Sequence, residues 1–151
     1  MKTAKRAGVM ALFYPNSENE THLILILRKT YKGVHSAQVG FPGGKVEKSD
    51  KDLKATALRE TEEEIGVPAG NILIKKPMSP IYIPPSNFTV FPFIGITKST
   101  PIFIKEEAEV EDLIEVKLSH LLNEENATEV SVMSSFNVKL VVPAFILNGY
   151  D

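Results

Sequence analysis

The stretch from Phe41-Pro42-Gly43-Gly44 to Gly66-Val67 reads FPGGKVEKSDKDLKATALRETEEEIGV, and it constrains this chain more than any other. Glycines open it, helix formers follow, and glutamates and a glycine close it. The pattern predicts a turn feeding a helix of about four turns. Ser49 is the expected N-cap, with Asp52 three residues on approximating a capping box. Gly66 followed by Pro68 is the stop signal.

Spacing decides which side chains of that helix share a face. At about 100° per residue, with Leu53 at zero, Ala57, Thr61, Ile65 and Leu58 fall at roughly 40°, 80°, 120° and 140°, one apolar stripe. Glu60, Glu64 and Glu63 fall at roughly −20°, 20° and −80°, a shared arc at the stripe's edge. Glu62 points to solvent. Like charges three and four residues apart repel, and the C-terminal half of a helix disfavours anions. Arg59 can pair with Glu63 at i,i+4, but one guanidinium cannot neutralise three carboxylates. A hard divalent cation such as Mg²⁺ or Mn²⁺ takes oxygen ligands and could. The ordinary reading of a glutamate run is a solvated acidic face. The glycine turn ahead of the helix and the shared arc favour the metal.

These residues resemble a known family. Arg59-Glu60-Thr61-Glu62-Glu63-Glu64-Ile65-Gly66-Val67 resembles the second half of the Nudix box: Arg-Glu, an aliphatic residue, any residue, Glu-Glu, any residue, Gly, aliphatic. Gly43-Gly44 resembles its start. Gly44 to Arg59 is one residue longer than the usual spacing. Asp50 stands about where the box has a glutamate, and Thr61 where it has an aliphatic residue. The longer spacing and the lead-in His35-Ser36-Ala37-Gln38-Val39-Gly40-Phe41-Pro42 are similar to the coenzyme A pyrophosphatase branch.

The resemblance implies an α/β fold, a Nudix-like α/β/α sandwich with a mixed sheet, formed by residues 1–151 as a single domain without that branch's C-terminal helix. A sheet face left bare in that way would be buried in a two-fold homodimer. The resemblance also implies metal-dependent hydrolysis of a diphosphate in coenzyme A or a derivative, giving adenosine 3′,5′-bisphosphate and 4′-phosphopantetheine. Glu60, Glu63 and Glu64 are then metal ligands, the Gly43 carbonyl completes the coordination, and Arg59 orients a glutamate. Glu60, Glu64, Glu109 or Glu107 takes the proton of the attacking water. Two alternatives stand beside this. One is a Nudix hydrolase of other nucleoside diphosphate derivatives, such as ADP-ribose, NADH or nucleoside triphosphates. The other is a non-catalytic ligand-binding module.

The rest of the chain is read from its residues. At 151 residues it is one domain, 43% hydrophobic and 24% charged, without low-complexity tracts. A net charge of −2 gives no reason to expect a nucleic-acid polymer as partner. The absence of cysteine excludes disulfides, thiolate metal sites and thiol nucleophiles. The start, MKTAKRAGVMALFYP, faintly mimics a signal peptide but reads better as a strand. No run approaches membrane-span length, and a cytoplasmic location is expected.

Ala7–Tyr14 and His22–Leu27 read as strands, the second buried on both faces. Arg28 follows that strand directly, where a planar guanidinium could grip phosphate; Lys29 and Lys32 read as surface charges. His35 reads as a packing residue ahead of a short strand, Gln38–Phe41. Gly43 and Gly44 allow the backbone to approach a ligand closely. Further strands are expected at Ile72–Ile74, Ile81–Ile83, Phe88–Thr97, Val110–Val116, Phe136–Val142 and Phe145–Leu147. A turn is expected at Pro84–Asn87, and a short helix at Ser119–Asn123 with Ser119 as its cap.

Overall fold

The computed structural model describes residues 3–29, 38–123, 125, 127–133 and 139–145. His35, Lys32, the lead-in through Ala37, the strand residues expected at 136–138 and at 146–147, and the chain's last residues lie outside the described ones.

Two apolar runs flank a polar turn and pair as a hairpin. β1 (Lys5–Pro15) and β2 (Thr21–Arg28) are antiparallel, with Phe13 opposite Leu23 and Tyr14 opposite His22. The Asn16 side chain closes the turn by accepting from the Glu18 and Glu20 N–H groups. β7 (Phe88–Ile96) runs parallel to β1 along its whole other edge. β5 (Leu73–Pro77) and β6 (Ile81–Ile83) share the outer edge of β7. β8 (Val110–Lys117) covers the outer edge of β2.

Beyond Leu23, β1 and β2 part. β2 pairs with β3 (Val39–Gly40) through Ile26 and Leu27, and β1 pairs with β4 (Gly43–Lys45) through Ala7–Val9. Residues 38–45 therefore cross the split. Arg28 N–H donates to Gln38 O at one side and Met10 N–H to Pro42 O at the other. The glycine turn is pinned where the two central strands diverge. Among the described residues, β1 to β8 form one mixed sheet; β9 (Ala127–Met133) and β10 (Lys139–Phe145) make a separate antiparallel pair.

α1 (Leu53–Ile65) lies across β1, β4 and β7. It starts later than Ser49. Asp52 is the N-cap and its carboxylate accepts from Ala55 N–H at 2.8 Å. Ser49 sits in the preceding turn, where Asp50 N–H bonds Glu47 O. Gly66 ends the helix in the left-handed region, φ 73°, donating to Glu62 O. The short α2 (Leu118–Leu122) is capped by Lys117, so Ser119 lies inside it. The strand Ala127–Met133 was not among the expected elements.

The expected stripe of α1 faces the sheet. Ala57 and Ile65 are fully buried against Met10, Leu12 and Tyr14 of β1, Ile24 and Ile26 of β2, and Val67, Ile72 and Val110. Leu58 packs at the edge of this cluster. Each buried aliphatic side chain contributes roughly 1.5–3 kcal/mol. The result is of the expected α/β class with a mixed sheet; where the resemblance implies an α/β/α sandwich, the described residues form an α/β sandwich with α1 and the short α2 as its α-helices. Among the described residues, no helix is long and apolar enough to cross a membrane.

Candidate active site

The C-terminal half of α1 faces the glycine turn, and Glu64 joins them. Its side chain is 1% exposed, and both of its oxygens are engaged. Oε1 accepts from Gly43 N–H at 2.7 Å and Oε2 from Arg28 Nη1 at 2.6 Å. Arg28 Nη2 also donates to Gly43 O at 3.2 Å and Phe41 O at 3.3 Å. A register shift between Leu27 and Arg28 against β8 places the arginine here, as bulges commonly re-aim a side chain.

Glu60 lies one turn earlier and is largely buried, 14% exposed. Its Oε1 accepts from Arg59 Nη1 at 3.0 Å. Gly44 lies against it: a Cβ at that position would stand 2.6 Å from the Glu60 carboxyl carbon. Only a residue without a side chain permits this approach. Glu63 is exposed and meets Arg59 Nη1 at 3.3 Å, the expected i,i+4 pair. Arg59 is anchored from outside the helix by Asp50, Nε to Oδ1 at 2.9 Å and Nη2 to Oδ2 at 3.0 Å.

Burial sets the electrostatics. Desolvation pushes the Glu64 carboxyl above the usual carboxylate range, opposed by the Arg28 charge and the Gly43 N–H. The charge of Glu109 adds a smaller push in the same direction. Desolvation likewise raises Glu60, opposed by its bond from Arg59. Asp50 goes the other way: its bonds from Arg59 outweigh burial and hold it well below the usual range.

The sequence-predicted residues divide in two. Glu60 and Glu63 face Arg59, whereas Glu64 faces Arg28 and the Gly43 N–H. Among the described residues, no three carboxylate or imidazole side chains converge about one point as metal ligands do. The donor chemistry nevertheless suits a hard cation. Glu64 and Gly43 present oxygens that already hold a positive group, and Glu60 lies one turn away. Glu109 is exposed in the turn just before β8, its carbonyl accepting from Lys29 N–H. Glu107 is a surface residue, 3.9 Å from Lys105 Nζ.

Residues 4–135 match the model of the NUDIX domain. The chain belongs to the Nudix domain family. It is 34% identical over 124 residues to Nudix hydrolase 15, mitochondrial, of Arabidopsis thaliana, covering 81% of this chain and 43% of that protein. It is 37% identical over 103 residues to an uncharacterized Nudix hydrolase, NudL, of Yersinia enterocolitica, covering 68% of this chain and 52% of that one. This Nudix domain thus spans about half the length, or less, of these curated relatives. Its fold is similar to that of RenU, a Nudix hydrolase from M. smegmatis, with a TM-score of 0.63 at 15% identity over 81% of this chain and 76% of that one. It is also similar to a C. elegans Ap4A hydrolase, with a TM-score of 0.62 at 15% identity over 78% and 83%.

Two residues that position the helix and its arginine are not singled out by sequence reasoning for those roles. Asp50 reads in the sequence only as a stand-in for a glutamate, yet it is the anchor of Arg59. No periodicity links residues nine apart. Gly8 lies under the start of α1, where a Cβ would stand 2.4 Å from Leu53 O. It reads in the sequence as an ordinary strand residue.

Proposed function

We propose that this Nudix domain hydrolyses a phosphoanhydride in a nucleoside diphosphate derivative, with Mg²⁺ or Mn²⁺ as cofactor. The substrate proposed first is coenzyme A or a derivative, cut to adenosine 3′,5′-bisphosphate and 4′-phosphopantetheine. One observation carries the reading: the buried Glu64 carboxylate is bonded to the Gly43 N–H, so glutamate arc and glycine turn form a single polar site. Glu60, Glu63, Glu64 and the Gly43 carbonyl would hold the metal. When bound, the metal offsets the negative charge of a diphosphate and acidifies water.

The chain's own groups divide the remaining work. Arg59 holds Glu60 by one oxygen, Oε1, and leaves Oε2 to accept the proton of the attacking water. Glu64 serves less well as the base, since both its oxygens are engaged. Glu109 is the second candidate, at the exposed rim. Arg28 supplies donors for the diphosphate, and the bare Gly43-Gly44 backbone lets it approach closely.

The second reading keeps the chemistry and changes the substrate. Ile26 and Lys29, on either side of the Arg28 grip, differ from the residues usual in the coenzyme A branch. ADP-ribose, NADH or a nucleoside triphosphate would then be the substrate. A panel of these compounds and coenzyme A, each with Mg²⁺ or Mn²⁺, tests both. Coenzyme A cleaved fastest supports the first reading; faster cleavage of another compound supports the second. Binding without hydrolysis of any compound would leave the non-catalytic module. A two-fold homodimer is part of the same proposal, supported by the exposed apolar side chains of Met78, Ile81, Tyr82 and Ile83 along one sheet edge. Sedimentation showing a monomer across micromolar concentrations would end it.

A further inference from the structure

Arg28 is held by the same oxygens that the metal reading assigns to the ion. Its Nη1 lies 2.6 Å from Glu64 Oε2 and its Nη2 3.2 Å from the Gly43 carbonyl oxygen. The bond to Glu64 is charge-assisted and short. Those to Gly43 O and Phe41 O, at 3.2 and 3.3 Å, are long and neutral-acceptor bonds. The guanidinium thus bridges a buried carboxylate and the carbonyl of the glycine turn. It supplies the charge that a carboxylate 1% exposed requires.

The two partners differ in freedom. Glu64 is fixed, because its Oε1 is tied to Gly43 N–H and its own backbone carbonyl accepts from Glu106 N–H. Arg28 is anchored by its backbone to Gln38, but its side chain is 36% exposed and reaches the site on a flexible stem. A divalent ion on Glu64 and Gly43 O would stand within a few ångströms of the guanidinium. Like charges at that separation repel strongly, and more so where water is scarce. The two cations therefore compete for these acceptors.

We infer that Arg28 is a tethered counter-cation that a divalent ion displaces from Glu64 and the Gly43 carbonyl, and that the displaced guanidinium then engages the substrate's diphosphate. This rests on the metal site set out under Proposed function. The planar fork that now spans a carboxylate and a carbonyl suits two phosphate oxygens equally well. Metal loading therefore precedes the arginine's grip on substrate. Arg28 is a positioning residue before the exchange and a substrate contact after it.

The test is a Mn²⁺ titration without substrate, read by water-proton relaxation, on the wild-type chain, Arg28→Gln and Glu64→Gln. Removing the competing charge should tighten Mn²⁺ binding in Arg28→Gln by about tenfold, and Glu64→Gln should weaken it by at least about tenfold. Equal or weaker binding in Arg28→Gln, with Glu64→Gln still impaired, would overturn the exchange and leave the metal site standing. No Mn²⁺ binding by the wild-type chain at millimolar concentrations would overturn the metal site and the exchange with it. Should Arg28→Gln not fold, the wild-type chain gives a second readout. The Arg28 guanidinium ¹⁵N resonance, assigned by comparison with Arg28→Lys, should shift and saturate as Mg²⁺ is added. A resonance unmoved at saturating Mg²⁺ would overturn the inference.

Discussion

Arg59 donates to both carboxylate oxygens of Asp50, at 2.9 and 3.0 Å, from a helix that starts after Asp50. Asp50 is 4% exposed and also accepts from the Thr56 hydroxyl at 2.8 Å and from Glu47 N–H at 2.9 Å. The remaining guanidinium nitrogen, Nη1, reaches Glu60 and Glu63. A carboxylate in the preceding turn thus aims the arginine that holds two glutamates of the site.

Asp50→Asn should therefore destabilise the fold and disturb the site together. Breaking a largely buried pair costs about 3 kcal/mol. The sign of the pH dependence follows from the depressed pKa of Asp50. Its contribution is full above the unfolded carboxylate value, near 4, and is lost as pH falls through the lower folded value. Urea midpoints at about pH 7 and about pH 3 check this. The gap between wild type and variant should be wide at the first and narrower at the second.

Two glycines separate stability from chemistry. At Gly8 an added Cβ meets backbone, Leu53 O at 2.4 Å, which cannot yield without moving α1. Gly8→Ala should cost about 2 kcal/mol. At Gly44 the Cβ meets the end of the Glu60 side chain, which can turn away. Gly44→Ala should keep most of its stability and lose about 10²-fold in turnover as Glu60 is displaced. Thermal melts and steady-state rates on both variants decide whether the two effects divide this way.

What was legible in the sequence was local. The apolar runs, the helix face and its glycine stop are encoded by period and by single residues, and they stand where periodicity puts them. The N-cap fell three residues late because Ser49 and Asp52 are both good caps. What decides between them is the engagement of Asp50 with Arg59, Thr56 and Glu47, which no capping rule sees. The parallel pairing of β1 with β7 joins residues more than eighty apart, Lys5 with Phe88. The Tyr14 hydroxyl bond to Glu115, at 2.7 Å, spans a similar separation. Arg28 was legible as a cation beside the site, but its bond to Glu64 was not. That bond depends on the split between β1 and β2 that brings the glycine turn across.

Glu63 and Glu64 differ in burial but should matter alike to turnover. Glu63 is 56% exposed, so Glu63→Gln should leave stability within about 0.5 kcal/mol. Both Glu63→Gln and Glu64→Gln should lose at least about 10²-fold in rate. Millimolar Mg²⁺ should raise the melting temperature of the wild-type chain, since a ligand of the native state stabilises it. The increment should vanish in Glu64→Gln. Near-native turnover in both variants at saturating Mg²⁺ would remove the metal role from these residues.

Thr61 gives the opposite expectation. It stands where the family's box has an aliphatic residue, and it is fully buried in α1. Its hydroxyl donates to Ala57 O at 2.6 Å, one turn back along its own helix. That bond satisfies the hydroxyl locally and links it to no group of the site. In Thr61→Val the hydroxyl leaves with its own requirement, and Ala57 O keeps the helix bond from the residue 61 amide. Back-bonding of this kind slightly destabilises a helix, and valine restores an apolar surface to the stripe. Thr61→Val should therefore change stability by less than about 1 kcal/mol, in the stabilising direction, with turnover unchanged. A loss above about 2 kcal/mol in urea melts would show that the hydroxyl holds more than its own helix turn.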